Sequence, residues 1–328
     1  MFEGEYLNGE KTNKGKLYTE KGDLIFEGEY LYNQQIKGKE FINGRLEYEG
    51  EFLFNRKYNG KGYDEKGHIT YEINNGYGKV KEYFCNNGNI YFEGEYKNGL
   101  KYGNGKLYYY YNGILKYEGE FLNNKKNGYG KLYYDNGKLL YEGEFLNNKK
   151  NGNGKLYYNN GNLRYKGEYK NGIKNGNGKL YYDNGNLRYE GEFLNDQLSG
   201  KGKLYYDNGK LQYEGEFLNS KKNGNGKFYY DNGNLKYEGE VLNNKASGKG
   251  KFYYNNGKLL YEGEFLNDKA NGKGKAYFGN GKLKYEGEFL NNKPNGRGKE
   301  YNIEGDLIFD GEFSNGNFIE ESKNDIIK

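Results

Sequence analysis

Polar and apolar residues alternate along this chain in short bursts that return at a fixed interval. Leu163-Arg164-Tyr165-Lys166-Gly167-Glu168-Tyr169 has a period of two, which predicts a strand with one apolar and one polar face. Gly154-Lys155-Leu156-Tyr157-Tyr158 predicts a second, shorter strand. Triplets such as Asp135-Asn136-Gly137 stand between strands, and Asn-Gly signals a hairpin because both residues tolerate positive φ. Asn147 to Gly152 reads as a longer polar loop. Parity places Leu139, Tyr141, Gly143 and Phe145 on one face and Glu142 and Glu144 on the other. Leu156 and Tyr158 are expected beside the Tyr/Phe face, where a mid-strand glycine leaves room for a neighbouring ring.

Each burst opens with Tyr-Glu-Gly-Glu or a close variant. Copies start at Tyr117, Tyr141, Tyr165, Tyr189, Tyr213, Tyr237, Tyr261, Tyr285 and Phe309, always 24 residues apart. Earlier copies start at Phe2, Phe26, Tyr48, Tyr71 and Phe92, with uneven spacing. The expected organisation is one array of about fourteen repeats over residues 1–316, irregular over 48–116 and strict over 117–308. A tail, 317–328, follows. The expected fold is all-β: an elongated single-layer antiparallel meander of tandem hairpins, without helices of note, stabilised between neighbouring repeats.

Composition supports a thin sheet over a globular core. Hydrophobic residues are 34% of the 328, below the roughly 45–50% of ordinary domains, yet aromatics reach 18%, too many for a disordered chain. Four glycines in each of about fourteen units account for nearly all of the 55 glycines, and there is one proline. The net charge of +5 comes from nearly balanced acids and bases, which speaks against a nucleic-acid partner. One cysteine, Cys85, excludes an internal disulfide. Met1-Phe2-Glu3-Gly4-Glu5 opens directly into a repeat, so a cytoplasmic protein is expected.

The unit resembles the MORN (membrane occupation and recognition nexus) repeat. The residues that carry the likeness are Tyr141-Glu142-Gly143-Glu144-Phe145, then Gly152 and Gly154, then Leu156, Tyr158 and Gly161. Phe stands for the usual Trp, and the unit is one residue longer than the family's 23. That longer form is similar to the bacterial variant found in antitoxin-type proteins. The resemblance implies a non-enzymatic protein–protein interaction scaffold, antitoxin-like in its narrower form, whose partner would be another protein such as a toxin. It also brings membrane or phosphoinositide association as an alternative, and a carbohydrate- or surface-binding repeat is a second alternative.

No catalytic residue, metal site or cofactor is expected. Gly152-Asn153-Gly154-Lys155 lacks the Ser/Thr and the helix of a phosphate loop. Glu142 and Glu144 recur down the chain and read as a salt-bridged outer face. His68 and Cys85 read as a surface histidine and a packed cysteine. Tyr133, Tyr157, Tyr181, Tyr205, Tyr229 and Tyr253 form the candidate partner-binding face, since aligned exposed aromatics suit recognition. Charge swings from +2 over 141–164 to −1 over 189–212, which does not make a continuous lipid-binding patch. Open strand edges at the ends suggest end-to-end self-association.

Overall fold

The computed structural model describes residues 1–84 and 88–319, which form twenty-eight strands and no helix. The chain divides into two compact units, Met1–Ile173 and Lys174–Lys328. In the first, β1 (Phe2–Leu7) to β7 (Ile69–Ile73) pair in chain order as one antiparallel sheet, and a second sheet opens at β8 (Gly78–Tyr83). In the second unit, strands again pair in chain order, from β16 (Ile173–Tyr181) to β28 (Asn317–Phe318).

Each 24-residue unit is a hairpin closed by two different turns. After β13 (Leu139–Leu146) the chain reverses through Asn147 and Asn148, whose φ angles are 49° and 71°. Two left-handed residues make the twist of a two-residue turn match that of the strands, and asparagine tolerates that conformation. The expected longer loop is therefore a tight turn, and the shorter strand is nine residues, β14 (Lys149–Tyr157). After β14, the Tyr158 carbonyl accepts from Gly161 N–H and the Asn162 carbonyl accepts from Tyr158 N–H, each at 2.9 Å. Gly161, at φ 94°, closes this three-residue loop.

The core is a tyrosine ring laid over a pair of glycines. Gly143 faces Gly154 across the strands, and the Tyr141 ring covers both. A Cβ on Gly143 would stand 2.5 Å from the Asn153 carbonyl oxygen, and one on Gly154 would stand 2.6 Å from Tyr141 Cε2. Tyr141 is fully buried, and its hydroxyl donates to the Glu144 carbonyl at 3.2 Å. Phe145 meets it edge to face at 5.2 Å and meets Tyr117 of the preceding unit at 5.4 Å. Lys150 lies over its outer face, 4.6 Å from the ring centre. The second unit repeats the scheme, with Phe265 at 5.0 Å from Tyr261 and 5.3 Å from Tyr237. A run of T-shaped rings thus does for a single sheet what a second layer does elsewhere.

The first sheet ends where this rung fails. Ile73 takes the place of the first glycine and Val80 that of the second, and both are buried. A ring cannot lie over branched side chains. Tyr71 instead lies over Gly62 and stacks on Tyr48, 6.4 Å away and tilted by 17°. Beyond Ile73 only a bridge between Asn74 and Tyr77 remains before β8 begins.

Gly154→Val is expected to lift the Tyr141 ring and destabilise its unit by about 1–3 kcal/mol. Hydrogen exchange should quicken in residues 141–164 and their immediate neighbours. Unchanged protection there would show that the ring does not need the glycine pair.

Candidate functional site

The face opposite the rings carries two columns of charge. In the first, Glu142 stands between Lys131 and Lys155, and the Lys155 ammonium lies 2.8 Å from its carboxylate. The column continues in the second unit, with Lys179–Glu190 at 2.9 Å, Lys227–Glu238 at 3.4 Å and Lys275–Glu286 at 3.3 Å. Hydrogen bonds from Lys155 and then Tyr157 hold the Glu142 carboxyl below its usual range. Glu144 belongs to the second column but behaves differently. Between the Gly143–Gly154 and Phe145–Lys150 pairs the opposite strand bulges, and the Glu144 carboxylate accepts from the Asn153 N–H at 3.0 Å. It lies against Gly152, whose φ of 76° suits glycine. The two glutamates are thus not one salt-bridged face: Glu142 pairs with lysine, and Glu144 caps backbone.

The six candidate tyrosines end their strands on this charged face and are half-buried. Tyr133 donates to Glu118 at 2.5 Å, Tyr157 to Glu142, Tyr205 to Glu190 and Tyr253 to Glu238, each of the last three at 2.7 Å. Tyr181 and Tyr229 occupy the same strand position. The second tyrosine of each pair has a role that the sequence did not suggest. Tyr134 donates to the Tyr157 carbonyl at 2.8 Å, and Tyr182 to that of Tyr205 at 2.9 Å, linking one unit to the next. Tyr158 sits under the Arg164 guanidinium, 5.4 Å from its ring centre.

Between the columns runs a trough floored by glycine backbone. In the second unit it encloses 1410 Å³ from Glu214 to Asp310. A separate trough of 740 Å³ lies in the first unit, from Thr70 to Lys131.

A buried charged cluster occupies the break after Ile73. The Lys57 ammonium lies 2.6 Å from Glu47 and 3.1 Å from Glu40, and donates to the Tyr71 hydroxyl at 3.2 Å. Tyr71 in turn donates to Glu47 at 2.9 Å. Nearby, Tyr96 donates to Glu82 at 2.7 Å, and Lys101 pairs with Glu82 at 3.3 Å. Glu40, Glu47, Lys57, Glu82, Tyr96 and Lys101 border a cavity of 380 Å³. Burial pushes the Glu47 carboxyl up, against the pull of Lys57. Glu40 and Glu82 stand where the regular unit has Leu156, a substitution visible in the sequence but unread there. His68 is exposed, with Nδ1 3.2 Å from Asp64, and Cys85 lies outside the described residues. Among the described residues no group of three or more His, Cys, Asp or Glu is placed to hold a metal ion.

The MORN repeat model matches ten stretches: 2–24, 92–110, 117–138, 141–163, 165–187, 189–210, 213–235, 237–258, 261–282 and 285–306. The chain belongs to the MORN repeat family. That family is generally a non-enzymatic repeat scaffold. The longest unmatched stretch, 25–91, contains the failed rung and Lys57, Glu47, Glu40 and Tyr71 of the buried cluster, so departures from the MORN pattern coincide with the break in the sheet. No curated protein matches the chain. Among solved structures, it is similar to the crystal structure of TcdB2-TccC3 without its hypervariable C-terminal region, with 11% identity, a TM-score of 0.19, and coverage of 90% of this chain and 18% of that one. It is also similar to TcdB2-TccC3-Cdc42, with 12% identity, a TM-score of 0.16, and coverage of 94% and 16%. The MORN array spans less than a fifth of either chain, and likenesses this distant carry no argument about its role.

Two outcomes test this chemistry. Burial pushes the core phenols up, to about 12 for Tyr213, Tyr261 and Tyr285, against an ordinary 10.0. A raised acid keeps its proton longer in the folded state. The stability it lends is therefore whole below pH 10 and is lost as pH rises from there toward 12. Phenolate absorbance and loss of the β circular-dichroism signal should appear in one transition across that window. Titration centred near pH 10 with the sheet intact would contradict it. Lys57→Met should destabilise the β5 (Arg45–Leu53) and β6 (Arg56–Tyr63) hairpin by about 3–5 kcal/mol at neutral pH, because it strands Glu47. The loss should shrink at acid pH, where Glu47, pushed up by burial and no longer held down by Lys57, takes up a proton. An equal loss at both pH values by hydrogen exchange would count against that account.

Proposed function

We propose that this MORN array is a protein–protein interaction scaffold with no chemistry of its own. The observation that carries the reading is the division between its faces. The aromatic face is consumed by internal packing, while the charged face presents a trough of 1410 Å³ in the second unit, in which one row, Asn225, Lys249, Lys273 and Arg297, varies from repeat to repeat. The half-buried tyrosines of the same face, several held by glutamates, offer rings that lose little freedom on contact. A narrower antitoxin-like role, with a toxin as partner, rests on the 24-residue unit. Membrane association has less support, because the lysines of the first column are already matched by glutamates.

Affinity purification from the native host with mass spectrometry tests the scaffold. A stoichiometric protein partner is expected, with hydrogen-exchange protection falling on the strands that bear Tyr133 to Tyr253. Recovery of no stoichiometric partner overturns the reading. Protection confined to the aromatic face removes the tyrosines from the interface.

A further inference from the structure

The second charge column differs along the chain. Opposite the second glutamate of each repeat stand Lys14, Lys37, Lys79, Asn104, Tyr129 and Asn153 in the first unit, then Asn177, Lys201, Asn225, Lys249, Lys273 and Arg297 in the second. Register sets Lys249 across from Glu264, Lys273 from Glu288 and Arg297 from Glu312. Cross-strand neighbours of opposite charge ordinarily pair. Here they do not: Glu264 turns to the bulge at Gly272 and Glu288 to that at Gly296, and among the described residues no ion pair joins Arg297 to Glu312. Lys249, Lys273 and Arg297 are exposed and make no ion pair among the described residues. All three line the trough of the second unit.

These cations sit on alternate strands, so their backbones repeat about every 9.6 Å. A polyproline II segment rises about 3.1 Å per residue with three residues per turn, which brings every third side chain to the same side about every 9.3 Å. We propose that this trough seats an extended acidic segment of a partner protein, with a carboxylate at every third position met by Lys249, Lys273 and Arg297. The inference rests on the scaffold reading and names the partner's chemistry. Arg297 can grip its carboxylate with two parallel hydrogen bonds. The trough's lining balances Lys and Arg against Glu and Asp, so a dense polyanion such as nucleic acid or an anionic bilayer would meet as many carboxylates as cations. A peptide that bears acids only at the third position addresses the unpaired row alone. The trough of the first unit is an internal contrast, with Lys79, Asn104 and Tyr129 at the matching positions, one cation where the second unit has three in a row.

The test uses the full chain and a labelled peptide of repeated Asp-Pro-Pro, read by fluorescence anisotropy at low salt. A second peptide of the same composition has its aspartates contiguous. The spaced peptide should bind at least about tenfold more tightly than the contiguous one, and binding should weaken with salt. The exposed triple variant Lys249→Gln, Lys273→Gln, Arg297→Gln should keep the wild-type circular dichroism and lose about tenfold in affinity for the spaced peptide. Equal binding of the two peptides, no loss in the triple variant, or no peptide binding alongside binding to phosphatidylserine vesicles or single-stranded DNA would each overturn the proposal. If the triple variant still captures the native partner in full, the trough assignment falls while the scaffold stands.

Discussion

Everything in this protein depends on a ring laid over two glycines. A single sheet has no second layer to bury its apolar face, and a side chain standing upright from it would stay wet. Removing the Cβ atoms of Gly143 and Gly154 lets the Tyr141 ring lie down, where it reaches zero exposure. Its hydroxyl then finds the Glu144 carbonyl, so the buried oxygen is paired. Phe145 closes one edge and Lys150 the top. Phe145 touches the rings of two repeats, which couples each repeat to its neighbour.

The break after Ile73 shows what happens when the rung is withdrawn. With Ile73 and Val80 in place of glycines, ring packing has no seat and the sheet stops. In its place stands a polar network of Lys57, Glu47, Glu40 and Tyr71, with Glu82, Tyr96 and Lys101 beside it. The two kinds of core differ in tolerance. A ring on glycines accepts Tyr or Phe, as Phe26 and Phe92 show, both fully buried. A buried ion cluster adds little net stability, yet the loss of one partner strands a charge.

Much of the fold was legible because the 24-residue period and the strand parity are strict. Tyr141, Gly143 and Phe145 shared a parity in the sequence and share the aromatic face in the structure. The turns were less legible. Asn147-Asn148 carries no glycine, and its two left-handed residues fit asparagine only once the flanking strands are known. The bulge at Asn151-Gly152-Asn153 hid the length of β14, because its glycine resembles a loop signal. The hydroxyl partners of Tyr133 to Tyr253 depend on cross-strand register, which alternation alone does not set. Ile73 in the Tyr-Glu-Ile-Asn of residues 71–74 was the readable sign of the break, concealed by the neighbouring Tyr-Glu that keeps the motif recognisable.

The two glutamates of the unit explain why one column of the charged face is nearly constant, broken where Lys166 faces Lys155, and the other is free to change. Glu142 needs a lysine on each side and a tyrosine hydroxyl, so substitution at Lys155 or Tyr157 would break the ladder. Glu144 spends its carboxylate on the backbone of the bulge and asks nothing of the residue across from it. That position can therefore be Tyr129, Asn153 or Lys249 without cost to the sheet. Repeats that must be alike to stack can still differ there, and the differences face the trough. The same capping interaction that holds the bulge together thus frees a row of positions in which a scaffold of near-identical units can encode a specific partner.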